Sequence, residues 1–60
     1  MAYNDWENTV VEVVAEALGV GHSDACGVVE AQPFHMQQAW GKGLDAPQTA
    51  DIILAATQVQ

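Results

Sequence analysis

Trp6, Val10, Val13, Val14 and Ala17 recur at the spacing of one helical face, and Gly19 follows where such a run stops. At 100° per residue, with Val11 and Leu18 as flanks, these side chains fill an arc of about 160°. Asn8, Glu12 and Glu16 fall on the opposite side. Four valines in five positions also suit a strand. The glutamate spacing and the segment's length decide for a helix. Asn4 followed by Glu7 has the spacing of a capping box, so the sequence predicts an N-terminus there.

Three more helical segments follow, each with its own punctuation. Ser23 is the predicted N-cap of the second, with Asp24 in the first turn, where the helix dipole favours negative charge. Ala25, Val28 and Val29 form its inner face. Gly27 inside it costs about 1 kcal/mol relative to alanine and points to a close approach by another helix. Pro33 biases Gln32 away from helical geometry and suits the first position of a third helix, running to about Trp40 and stopping at Gly41 or Gly43. Met36, Ala39 and Trp40 share a face of it, with Phe34 roughly opposite, so one aromatic packs back on the preceding turn or looks outward. Asp45 and Gln48 form another N-terminal box with Pro47 in the first turn, and the fourth helix runs from about Ala46 to Gln58. Its stripe is Ala46, Ala50, Ile53, Leu54 and Thr57, widened on one flank by Ile52, Ala56 and Val59. That is more apolar surface than one neighbour needs.

The chain, residues 1–60, reads as a single small helical domain. The connections are short, so consecutive helices are neighbours in space. The expected fold is all-α: a small compact orthogonal bundle of three to four short helices. Half the residues are hydrophobic, but ten are alanine and eight valine against four aromatics. A core of small side chains in a chain of this length is thin. The single cysteine forms no intramolecular disulfide, which leaves metal, close helix packing or self-association as reinforcement.

Charge excludes whole classes of partner. Eight acidic residues stand against one lysine, Lys42, for a formal net charge of −7. Proteins that bind nucleic acid neutralise several phosphates with lysine or arginine, and anionic membranes need the same cations. No nucleic-acid or membrane partner is expected. No apolar run approaches the roughly 20 residues of a membrane span, and the first residues lack the basic and apolar pattern of a signal peptide. A cytoplasmic location is expected.

The segment Val14-Ala15-Glu16-Ala17-Leu18-Gly19-Val20-Gly21-His22-Ser23-Asp24-Ala25 resembles the core of a helix-turn-helix motif. Ala15, Leu18, Gly19, Val20 and Val28 occupy matching positions, while Ala25 stands where a larger branched residue is usual. The resemblance implies a tight helix-turn-helix-like corner, a packing also found in ubiquitin-associated-type three-helix modules. A recognition helix needs donors for phosphates and base edges. The positions concerned carry His22, Ser23, Asp24, Gly27 and Glu30, which disfavours a transcription regulator.

No catalytic set emerges. Nothing forces two carboxylates into one apolar pocket, and Gly41-Lys42-Gly43 lacks the spacing of a phosphate-gripping loop. His22, Cys26 and Glu30 recur at four-residue intervals with His35 nearby, the nearest approach to a zinc ligand set. Structural zinc sites use two or more cysteines in fixed motifs, so no metal and no cofactor is expected. An enzyme is not expected.

The remaining signal is apolar. The sequence predicts a small acidic helical module that binds a protein partner or itself as a homo-oligomer, through Trp6, Phe34, Met36, Trp40, Ile52 and Val59. On this reading Trp40→Ala removes association and spares most of the helix content. The alternative is an acidic inhibitor or DNA mimic, of the kind a phage or other mobile element encodes, seated in a basic cleft.

Overall fold

The computed structural model describes residues 2–58. Four helices follow one another: α1 (Tyr3–Leu18), α2 (His22–Glu30), α3 (Pro33–Lys42) and α4 (Ala46–Gln58). They form an all-α bundle measuring 26 × 23 × 16 Å. α1 packs chiefly on α4 and α2, and α3 meets α4 and α2 along shorter contacts.

The helix ends obey their glycines. Gly19 lies in the left-handed region at φ 68°, and the Val20 N–H reaches back to the Ala15 carbonyl at 3.1 Å. Gly43 does the same at φ 75°, with the Leu44 N–H on the Ala39 carbonyl at 3.0 Å. Both are Schellman-type closures that satisfy carbonyls the helix would otherwise leave open. α3 therefore runs through Gly41 and ends at Gly43. Pro33 occupies its first turn, preceded by Gln32 at φ −124°, ψ 52°, outside helical geometry. The start of α4 carries the reciprocal box: the Gln48 N–H donates to Asp45 Oδ1 at 2.9 Å, and the Asp45 N–H donates to Gln48 Oε1 at 3.2 Å.

Two N-termini differ from the sequence expectation. α1 begins at Tyr3 with Ala2 as cap, so Asn4 is inside the helix and caps nothing. The two extra residues are held by packing: Tyr3, once helical, lies 5.4 Å from Trp6 and 5.0 Å from Trp40, centroid to centroid. α2 begins at His22 with Gly21 as cap, so Ser23 is inside the first turn. The Ala25 N–H donates to the Gly21 carbonyl at 3.0 Å, starting the helix two residues early without a side chain.

The core draws on all four helices: Trp6, Val10, Val11 and Val14, then Ala25 and Val29, then Met36 and Ala39, then Ala46, Ala50 and Ile53. The buried arc of α1 is turned toward Val11, leaving Val13 half-buried and Ala17 exposed. Two helices cover α1, so its buried arc follows their positions rather than the apolar residues alone. On α4, Thr49 is fully buried and Thr57 is exposed, the reverse of the expected stripe. Thr49 enters the core because its hydroxyl donates to the Asp45 carbonyl of its own first turn at 2.9 Å, leaving no orphan polar atom. Gly27 is exposed, and a Cβ there would meet nothing within 4 Å, so none of the described residues approaches it closely.

Candidate interaction surface

Pro33 sets the start of α3, and two buried residues set its rotation. Met36 and Ala39 face the core. On a helical wheel Phe34 lies about 170° from their mean direction. It is accordingly the most exposed of the large hydrophobic side chains, at 65%. Its ring meets the adjacent His35 at 5.7 Å, edge to face. Gly41 falls about 20° from Phe34 on the wheel, seven residues on. Gln37 and Gln38 flank that line, and all four positions are exposed.

Trp40 stands between core and solvent. One side of its ring is edge-on to Tyr3 at 5.0 Å and tilted against Trp6 at 5.0 Å. The rest of the side chain leaves it 41% exposed. The Tyr3, Trp6 and Trp40 rings thus form one cluster that ties α1 to α3. Of the two aromatics on opposite sides of α3, Phe34 is the one that looks outward.

Charge distinguishes this helix from the rest of the molecule. From Ala31 to Leu44 there is no carboxylate, and Lys42, the single cation of the chain, lies in the last turn. All eight acids lie elsewhere, none of them buried. The outer face of α3 is therefore a neutral to basic, partly aromatic strip on a molecule of net charge −7.

The other expected contact residues separate into two groups. Trp6 and Met36 are each only 3% exposed, so they are core residues with no surface to offer a partner. The small side chains around them leave volume that only large residues fill. The Trp6 indole is further held by its Nε1–H, which donates to the Leu44 carbonyl at 3.0 Å. Ile52 on α4 is exposed at 39%, beside the half-buried Ala56. Val59 lies outside the described residues. Val20, in the turn between α1 and α2, is an exposed hydrophobic that the sequence did not single out.

His22 and Cys26 do meet, because α2 starts early enough to include both: Nδ1 and Sγ are 3.8 Å apart. Glu30 and His35 do not complete the set, and no group of three or more His, Cys, Asp or Glu side chains among the described residues is placed to hold a metal ion. No cavity opens among the described residues. None of their helices is long and apolar enough to cross a membrane.

No family model matches the chain, and neither does any curated protein or solved structure.

Proposed function

We propose that this protein is a small acidic interaction module that works by contact, with the outer face of α3 as its principal surface. The observation that carries this reading is Phe34, a large aromatic held 65% exposed while the core beneath is filled by Trp6 and Met36. Exposing it forgoes the roughly 1.5–3 kcal/mol that burying such a side chain supplies. Trp40 supports the reading as a second aromatic at the edge of the same helix, and aromatic anchors dominate binding energy at protein interfaces. Ile52 adds apolar surface on α4.

Site-specific photo-cross-linking in the source cell tests this. A photoreactive phenylalanine analogue replaces Phe34 in one strain and Glu12, on the acidic side of α1, in another. Discrete adducts at position 34 that are absent at position 12 support the reading. Equal or absent labelling at the two positions contradicts it.

The second reading, an acidic mimic seated in a basic cleft, draws on the carboxylates. None of the eight is buried, so all are free to face a partner. It predicts partner binding that weakens steeply as salt rises. Contact through Phe34 does not weaken as salt rises.

A further inference from the structure

We infer that the occupant of the outer face of α3 is a second copy of this chain, docked antiparallel so that Phe34 of each copy covers Gly41 of the other. This rests on the reading of α3 as the contact face and names its partner.

Gly41 is the first ground. It lies in the last turn of α3, two residues before the Gly43 cap, and has no positive φ. Glycine there destabilises the helix relative to alanine. Nothing among the described residues asks for it, because a Cβ at that position would meet none of their atoms within 4 Å. The fold therefore leaves this bare stretch of backbone unexplained, whereas a bulky group arriving from outside makes use of it. Gly27 has the same open space, but it lies on α2 among Ser23, Asp24 and Glu30, with no aromatic on its side.

The second ground is self-complementarity. Phe34 and Gly41 share one line of the helix, separated by seven residues or about 10.5 Å of rise. The midpoint falls between Gln37 and Gln38. A two-fold axis through that midpoint brings knob to notch twice over, as an isologous contact requires. It also sets the glutamine side chains of the two copies side by side, where amide groups both donate and accept.

Charge is the third. Two molecules of net charge −7 repel each other through almost any pair of faces. The carboxylate-free stretch from Ala31 to Leu44 is the face on which that repulsion is least. Antiparallel docking also carries Lys42 of one copy toward Pro33 of the other, one short connection from Glu30 at the end of α2.

The patch is small. A standard interface buries about 800 Å² on each side. That is about a fifth of the 3787 Å² surface described for this chain, more than one face of a ten-residue helix supplies. Association is accordingly concentration-dependent, and it strengthens as salt screens the net charge.

Sedimentation equilibrium on the full chain, over a wide concentration range and at two salt levels, tests the pairing. The wild type is expected to rise toward twice the 6.4 kDa of one chain, more readily at higher salt. Phe34→Ala and Gly41→Ala are each expected to stay at the one-chain mass over the same range. Gly41→Ala should at the same time melt no lower than wild type when both are compared at the lowest concentration, since alanine favours the helix. Gln38→Glu, which sets like charges near the axis, gives an independent loss of association without touching the core. A wild type that stays monomeric throughout overturns the pairing, as does a Gly41→Ala variant that associates like wild type. Should the purified chain stay monomeric while position 34 still cross-links to a different protein in the cell, the pairing fails and the interaction reading survives. Should both fail, the face is not a contact surface.

Discussion

The indole Nε1–H of Trp6 donates to the main-chain carbonyl of Leu44 at 3.0 Å, joining positions 38 residues apart. Leu44 is the residue that closes α3 through its N–H on Ala39, so one peptide segment ends α3 and anchors α1. Trp6→Phe keeps most of the packing and removes this bond, leaving the carbonyl short of its partner. It is expected to cost about 1–3 kcal/mol. Trp6→Ala adds a cavity and is expected to cost about 3–5 kcal/mol, enough to leave a domain this small largely unfolded. Urea titration followed by circular dichroism distinguishes the two.

Trp40 packs on two rings of α1 and is at the same time 41% exposed. Its contacts with Tyr3 and Trp6 imply that Trp40→Ala loses stability as well as association. Aromatic pairs contribute about 0.5–1.5 kcal/mol each beyond the area they bury. A loss of about 1–3 kcal/mol is expected, with a collapse of the near-ultraviolet circular dichroism that the three-ring cluster produces. Phe34→Ala, by contrast, is expected to leave stability within about 0.5 kcal/mol of wild type when measured under monomeric conditions.

Asp45 and Gln48 cap α4 reciprocally. Asp45→Ala is expected to lower stability by about 1 kcal/mol, and Asp45→Asn by much less, because the amide oxygen still accepts from the Gln48 N–H. A double-mutant cycle with Gln48→Ala should return a non-zero coupling, since each side chain bonds the other's backbone. Thermal melts of the four proteins supply the cycle.

The glycines divide by φ. Gly19 and Gly43 hold positive φ, so alanine at either is expected to destabilise by about 1–2 kcal/mol. At Gly27 the helix is ordinary and a Cβ has open space, so Gly27→Ala is expected to stabilise by about 0.5–1 kcal/mol. Opposite shifts in melting temperature for Gly19→Ala and Gly27→Ala are the check.

Much of this architecture is visible in the sequence wherever a specific side chain or glycine does the work. Gly19, Pro33, the Gly43 alternative and the Asp45–Gln48 box each mark a boundary that the structure keeps. The starts of α1 and α2 were not visible, because Ala2 and Gly21 cap them without any side-chain hydrogen bond. Thr49 was hidden for a related reason: a hydroxyl that bonds its own helix behaves as an apolar residue in the core. Sequence periodicity placed Phe34 and Trp40 on opposite sides of α3 but left open which of them turns outward. That was decided by Tyr3 and Trp6, whose rings form a site for Trp40 from a helix more than thirty residues away in sequence. Trp6 and Met36 went from expected contact residues to core for want of other large side chains to fill it.

The proposed pairing sets the outer face of α3 of one copy against that of another. Amide ¹H–¹⁵N spectra of the full chain, recorded through a dilution series, test it most directly. Concentration-dependent shifts are expected at Phe34, Gln37, Gln38 and Gly41, with Glu12 and Glu16 on the acidic side of α1 unmoved. Shifts confined to other helices, or spectra unchanged across the series, would contradict it.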